Sequence, residues 1–148
     1  MGKTVDANVR ILFCDLIGRE FADPRLFRAH CLTVDAYCLQ HPERDMLSTK
    51  SAATHLAGIC WSLEIGESLH LPAALKRLVD GPRSFARVAT PLRPLRGNVN
   101  IGNLAAVSQP DEYLAAAREW ARSAWSAWSH GWPQTRAWVA DARKSTWQ

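Results

Sequence analysis

Apolar residues recur every three or four positions along most of the chain, which is the period of an amphipathic α-helix. Runs of this kind occupy about 5–22, 24–41, 49–66, 71–79, 111–131 and the stretch after Pro133. Helix-starting residues such as Asp23-Pro24 precede these runs, and Gly or Pro residues follow several of them. No segment shows the period of two that marks a half-buried strand. The pattern predicts an all-α fold, a single-domain helical bundle of about five to six helices.

The segment 82–110 interrupts this regularity with closely spaced prolines and glycines. We expect it to be long and irregular, and to lie against the bundle through Phe85, Leu92, Leu95 and Ile101. Long ordered connections carry function more often than short ones do. This segment is therefore a candidate pocket wall or lid.

Length and composition indicate one domain that spans 1–148, because 148 residues with 47% apolar content suffice for one buried core. No run approaches the ~20 apolar residues of a membrane span, and the N-terminus lacks a signal-peptide pattern. We therefore expect a cytoplasmic protein. The four cysteines form no C-x-x-C motif and lie among apolar residues, so we expect reduced thiols buried in the core.

Positive charge is concentrated in the segment 83–110, which contains no acidic residue. Its arginines either pair with acidic residues elsewhere in the chain or form a patch for an acidic partner. Nucleic acid is a poor candidate for that partner, because the chain carries no nucleic-acid-binding fingerprint. Phosphate-loop and G-x-S-x-G motifs are also missing. The arginines are Arg83, Arg87, Arg93 and Arg96.

The string H-C-L-T-V-D-A-Y-C-L-Q-H-P, residues 30–42, carries two histidines, an aspartate and a tyrosine in one predicted helix. His30 and His41 are about 16 Å apart along a straight helix, so they cannot bind one metal ion together. If the second and third predicted helices pack antiparallel, His55 lies level with Asp35 and Tyr37 and about one turn from His30. The predicted cluster is His30, Asp35, Tyr37 and His55, with His41 at the far end.

Three interpretations of this cluster stay open. It is a buried hydrogen-bond network, or a divalent metal site that uses His30, His55 and a carboxylate, or a metal-free acid/base pocket. None of the spacings matches a recognised ligand motif such as H-E-x-x-H.

Tryptophans are concentrated near the C-terminus, where Trp125, Trp128 and Trp132 share one helix face. Indole rings at this spacing either fill the core or line a ligand cavity, with His130 at its rim. Trp125, Trp128 and His130 are thus further candidate ligand-binding residues.

The strings H-x-L-x-V-D-x-Y-x-x-Q-H-P and S-x-x-x-H-L-x-G, together with W-x-x-W and a nearby histidine, resemble an uncharacterised bacterial domain family. Many of its members begin with a C-x-x-C-G segment suggestive of zinc, and this chain has none. The resemblance implies a common architecture and draws attention to His30, Asp35, Tyr37, His41 and His55. At the level of the fold, the chain also resembles the DinB-like bundles, which hold a divalent metal with three histidines. It lacks their H-x-x-x-H pair.

These observations favour a cytosolic helical bundle whose histidine-centred pocket binds a small molecule or a divalent metal. We expect the tryptophan-rich helices and the segment 82–110 to form the pocket walls. The alternative is a non-catalytic interaction module that presents the arginines of 83–96 to an acidic partner. Whether a bound ligand is turned over stays open.

Overall fold

The computed structural model describes residues 2–66 and 69–145, and within them it contains helices and no strand. The predicted all-α fold is confirmed. Single 3₁₀ turns lie at Arg93–Leu95 and Ser129–Gly131. The α-helices are α1 Gly2–Ala22, α2 Pro24–Phe27, α3 His30–Gln40, α4 Pro42–Asp45, α5 Thr49–Glu64, α6 Leu71–Asp80, α7 Ile101–Ala105, α8 Pro110–Ser126 and α9 Trp132–Ser145.

The second predicted helix is divided in the structure. The α-helical conformation is interrupted at Arg28 and Ala29, so that α2 is one capped turn and α3 begins anew at His30. Pro42 ends α3 as expected, but it also occupies the first turn of α4, where a proline needs no amide hydrogen bond. The split helix and two short helices raise the number of described helices above the predicted six.

The central element is α3, which packs against α5 and α8. Fully buried alanines, among them Ala36, Ala57 and Ala121, allow these three helices to approach closely. The buried apolar residues of the described segments form a single cluster. None of the described helices is both long and apolar enough to cross a lipid bilayer.

The segment 82–110 is not irregular throughout, because the 3₁₀ turn Arg93–Leu95 and α7 lie within it. The Asn100 side chain caps α7 by accepting a hydrogen bond from the Gly102 amide at 2.9 Å. Phe85 and Ile101 are buried against the bundle as expected. Leu92 and Leu95 are 71% and 65% exposed, so these two anchoring residues were predicted wrongly.

Candidate functional site

A cavity of about 390 Å³ lies between α3, α5 and α6 and brings together three residues of the predicted cluster. His30 and Asp35 come from α3, and His55 comes from α5. We call this cavity the histidine pocket. Its other lining residues are Cys31, Val34, Thr54, Leu71, Pro72, Leu75, Lys76 and Val79.

His55 is fixed by Asp35 across the contact between α3 and α5. The Nδ1 atom of His55 lies 2.9 Å from Oδ1 of Asp35, at the level that antiparallel packing of the two helices predicts. Burial raises the pKa of the Asp35 carboxyl, while the hydrogen bond from His55 and the charges of His55 and His30 oppose this rise. Asp35 is therefore a buried acid that orients His55.

Gly58 allows this pairing, because it lies directly beneath the Asp35 carboxylate. A Cβ atom at position 58 would lie 2.5 Å from Oδ2 of Asp35, which is closer than real Cβ atoms come to their neighbours. Since His55 and Gly58 are three residues apart in α5, both face Asp35. The string H-L-x-G thus accommodates the aspartate of α3, because His55 binds its carboxylate and Gly58 leaves space for it.

His30 is fixed in the same way by a second carboxylate. Its Nδ1 atom lies 2.8 Å from Oε1 of Glu20, a residue of α1 that is completely buried. The Thr33 hydroxyl donates to the same oxygen at 2.9 Å, and the Tyr113 hydroxyl donates to Oε2 at 2.5 Å. Burial and the hydrogen bond to Glu20 raise the pKa of Tyr113, so its hydroxyl keeps its proton and donates.

Sequence reasoning missed Glu20, although a signal was present. Glu20 continues the apolar stripe of Val9, Phe13 and Leu16 at helical spacing. A carboxylate on an apolar stripe must either reach solvent or find donors inside the protein. Tyr113 and Thr33, which supply those donors, lie in other helices and gave no sequence signal.

Both pocket histidines are held at the same ring atom. Each Nδ1 is bound to a carboxylate, and neither Nε2 has a hydrogen-bond partner among the described residues. A carboxylate on Nδ1 fixes the tautomer and orientation of an imidazole, which leaves Nε2 to accept a hydrogen bond, bind a metal or take a proton. The His30 ring also contacts the rings of Phe21 and Phe27, at centroid distances of 4.9 and 5.0 Å.

In the described part of the chain, no group of three or more His, Cys, Asp or Glu side chains is placed to hold a metal ion. Glu20 and Asp35, the carboxylates nearest the histidines, are already bound to their Nδ1 atoms. A metal on His30 and His55 would therefore take its other ligands from water or from a bound molecule.

Tyr37 and His41 lie elsewhere, in a cavity of about 370 Å³ at the other end of α3. The Tyr37 ring stacks on Phe13 of α1, with centroids 3.9 Å apart, and contacts the His41 ring at 4.6 Å. Tyr37 therefore faces α1 rather than His55, which corrects the predicted cluster. The separation of His41 from His30 agrees with the prediction.

The C-terminal tryptophans lie outside the histidine pocket. Trp125 and Trp128 are buried, and their Nε1 atoms donate to Glu64 Oε2 at 3.0 Å and to Leu39 O at 3.1 Å. The exposed His130 has its Nε2 atom 2.6 Å from Ala89 O. The expected wall of tryptophans is absent from this pocket, which α6 closes instead.

Two arginines of the segment 83–96 form ion pairs within the molecule. Arg83 pairs with Asp141, and the buried Arg96 pairs with Glu43 and donates to Pro91 O at 2.9 Å. Arg87 and Arg93 are exposed.

Gln40 holds this segment against the bundle from within α3. Its Nε2 donates to the carbonyls of Arg96 and Val99, at 3.1 and 2.8 Å. Its Oε1 accepts from Trp120 Nε1 at 2.8 Å. The glutamine of the string Q-H-P therefore has a structural role that the sequence did not reveal.

Two of the four cysteines depart from the expected buried state. Cys38 and Cys60 are buried, whereas Cys14 and Cys31 are exposed, and all four are free thiols. Burial raises the pKa of Cys60 to about 12, so this thiol stays protonated and unreactive.

Fold and site together define a small all-α protein with two carboxylate-anchored histidines in one pocket. Residues 10–129 match the model of a family of unknown function, DUF5946. Because the match covers most of the 148 residues, the chain belongs to this family. The matched range includes the whole histidine pocket as well as Glu20 and Tyr113. No curated protein and no solved structure matches the chain.

Proposed function

We propose that this protein binds a small molecule in the histidine pocket, with the Nε2 atoms of His30 and His55 contacting its polar group. The observation that carries the proposal is the shared geometry of the two rings, which are both held at Nδ1 and both line one cavity. We also propose that the chain acts as one cytoplasmic domain. Its four free thiols support a reducing compartment.

The size and lining of the pocket support a small ligand. Its volume of about 390 Å³ lies in the range of small-molecule sites, roughly 300 to 1,000 Å³. Val34, Leu71 and Leu75 line it together with the polar residues, so a ligand that combines a polar group with an apolar part fits it best.

Ligand-observed NMR with a fragment set of small carboxylates, amines and alcohols tests this proposal. We expect fragments that bind the wild-type protein to lose their signal changes with the double variant His30→Ala/His55→Ala. The control is His130→Ala, which removes an exposed histidine outside the pocket. Fragments that bind the double variant as well as the wild type, or no binding fragment at all, would contradict the proposal.

A divalent metal is the second candidate for the same histidines. It is favoured by the carboxylates on Nδ1, since metal-binding histidines are commonly supported by such partners. Elemental analysis of protein purified without chelator should then show zinc, iron, manganese or nickel near one per chain. His30→Ala and His55→Ala should each lose the metal while the far-UV circular dichroism spectrum is retained. Wild-type protein that stays metal-free after dialysis against these ions would reject the candidate.

The interaction module remains a rival of a different class, now supported by the exposure of Arg87 and Arg93. If it is correct, Arg87→Ala/Arg93→Ala should weaken binding to polyglutamate and reduce the salt dependence of that binding. Arg96→Ala is unsuitable for this test, because it breaks the internal pair with Glu43. Unchanged polyglutamate binding would remove this hypothesis.

A further inference from the structure

The outer face of α1 is apolar along most of its length. Leu16 and Glu20, on the opposite face, are buried against the bundle, whereas Ile11 is 59% exposed and Phe21 is 66% exposed. A surface helix usually carries polar and charged side chains on its outer face. Single exposed apolar residues are ordinary, but a continuous row of them marks an interaction surface. We call this row the α1 stripe, and it consists of Ala7, Ile11, Cys14, Gly18 and Phe21.

The spacing of the α1 stripe fits a second helix. Its members follow one another at intervals of four, three, four and three residues, so the pattern repeats every seven residues. This is the pattern of the a and d positions in a coiled coil, where two helices pack side by side. A Cβ atom at Gly18 would meet nothing within 4 Å, so the outer side of α1 is open at this position.

The charges beside the α1 stripe identify its occupant. Arg10 and Asp15 flank the stripe on opposite sides, both are exposed, and neither forms an ion pair with a described residue. In the seven-residue pattern they occupy the g position and the e position that follows it five residues later. These two positions meet across a parallel pair of helices, so Arg10 of one copy meets Asp15 of the other. Two-fold symmetry makes the contact twice, and the surface therefore complements itself.

We infer that the chain forms a two-fold symmetric homodimer in which α1 packs parallel to α1 of a second copy. Equivalent positions then face each other, so Ile11 lies against Ile11 of the second copy and Cys14 against its Cys14. Phe21 extends the apolar contact towards Phe27, which is 46% exposed and lies 5.5 Å away between ring centroids. The stripe is only about 21 Å long, so we expect a dimer that dissociates on dilution. This dimer does not depend on what the histidine pocket binds.

Sedimentation velocity under reducing conditions tests the inference. We expect the mass of the wild-type protein to rise with concentration from that of one chain towards that of two. Ile11→Glu places a charge in the α1 stripe and should keep the protein monomeric. Ile65→Glu makes the same change at an exposed isoleucine at the end of α5, and it should leave the dimer unchanged. Wild-type protein that stays monomeric at millimolar concentration, or Ile11→Glu that dimerises as the wild type does, would overturn the inference.

Charge exchange at Arg10 and Asp15 tests the parallel arrangement. Asp15→Arg places two arginines opposite each other at both contacts, and it should raise the Kd of the dimer by about tenfold. The double variant Arg10→Asp/Asp15→Arg restores opposite charges and should return the Kd to near the wild-type value. In an antiparallel pair these two positions do not meet, so the second change would restore nothing. A double variant that stays as weak as Asp15→Arg would therefore overturn the inference.

Cys14 provides an independent measurement. Cys14 and Cys31 are exposed, and of these two only Cys14 lies in the α1 stripe. Diamide accepts the two electrons and two protons of a pair of thiols, so it should join Cys14 of two copies by a disulfide that a non-reducing gel detects. Cys31→Ser should keep this product, Cys14→Ser should lose it, and Ile11→Glu should slow its formation. A product that requires Cys31 instead, or wild-type protein that gives no disulfide-linked dimer, would overturn the inference.

Discussion

Glu20 shows how one residue links the core to the candidate site. A fully buried carboxylate is costly unless several donors satisfy it, and three groups lie within hydrogen-bond distance of its two oxygens. One of them is the Nδ1–H group of His30, a ring that lines the pocket. The burial of Glu20 and the orientation of His30 are therefore one structural feature.

Tyr113→Phe tests how much the hydrogen bond from Tyr113 to Glu20 stabilises the protein. The change removes one donor from a buried carboxylate, so we expect the free energy of unfolding to fall by about 1–3 kcal/mol in urea titrations. Tyr37→Phe is the matched control, because that ring keeps its stacking on Phe13 and its hydroxyl does not contact Glu20. Equal losses of unfolding free energy in the two variants would show that the hydrogen bond to Glu20 stabilises the protein no more than the Tyr37 hydroxyl does.

The raised pKa of Asp35 predicts that the stability of the protein depends on pH. Burial raises its pKa in the folded protein above the unfolded value of about 3.9, so the folded state binds more protons between the two values. The contribution of Asp35 to stability is therefore largest in acid and declines as the pH rises through this window, by up to about 1.4 kcal/mol per pH unit.

Asp35→Asn keeps an acceptor for His55 Nδ1 and removes this titration. We expect wild-type stability, measured by urea unfolding between pH 4 and 8, to fall relative to the variant as the pH rises. Asp15→Asn, at an exposed site of α1, controls for the loss of one negative charge. The raised pKa of Asp35 would be contradicted if the difference in unfolding free energy between wild type and Asp35→Asn did not change with pH. It would also be contradicted if that difference shifted in favour of the wild type as the pH rises.

Residue-level prediction succeeded where helix register alone decides the outcome. Asp35 and His55 face each other because antiparallel packing about a turn near Asp45 brings them level. Tyr37 was misplaced because its ring stacks on Phe13 of α1, a contact between distant segments that no local pattern encodes. The burial of Glu20 was predictable from its place on the apolar stripe of α1, but its partners were not, since they come from distant segments.

At the scale of helices, the approach of α5 to α3 depends on Gly58. Gly58→Ala would place a methyl group against the Asp35 carboxylate, which must then shift away from His55. We expect a net loss of about 1–3 kcal/mol in stability and altered NMR signals of His55. Gly18→Ala is a matched control in α1, because nothing lies within 4 Å of the added Cβ. The control should gain about 0.5–1 kcal/mol from helix propensity. A gain of the same size at Gly58 would show that the close contact has no cost.

Long helices were predictable from the sequence and short ones were not. The caps and the 3.6-residue period marked α1, α5, α6, α8 and α9. By contrast, α4 and α7 span four and five residues, too few to show a period. The break at Arg28 and Ala29 has neither proline nor glycine, so it follows from tertiary contacts rather than from local propensity.

At the scale of the whole molecule, the two halves of the chain are joined by buried hydrogen bonds. Tyr113 donates to Glu20, Trp120 donates to Gln40, and Trp128 donates to the carbonyl of Leu39. Each bond connects α1 or α3 to α8 or to the turn that follows α8. Unfolding one half would leave buried polar groups of the other half without partners, at a cost of about 1–3 kcal/mol for each group.

We therefore predict that the chain unfolds in one cooperative transition, as a single domain does. The tryptophans allow a direct test, because none precedes Trp61 and because Trp120 and Trp128 contact α3, so their fluorescence reports on the C-terminal half and on its contact with α3. The circular dichroism signal at 222 nm reports on all helices. If the halves unfold together, the two probes should give the same midpoint, and calorimetry should give an unfolding enthalpy of about 100 kcal/mol near 60 °C that equals the van't Hoff value. Loss of the 222 nm signal before the fluorescence change would show that the N-terminal helices unfold separately. The hydrogen bonds of Glu20, Leu39 and Gln40 would then be too weak to couple the histidine pocket to the core.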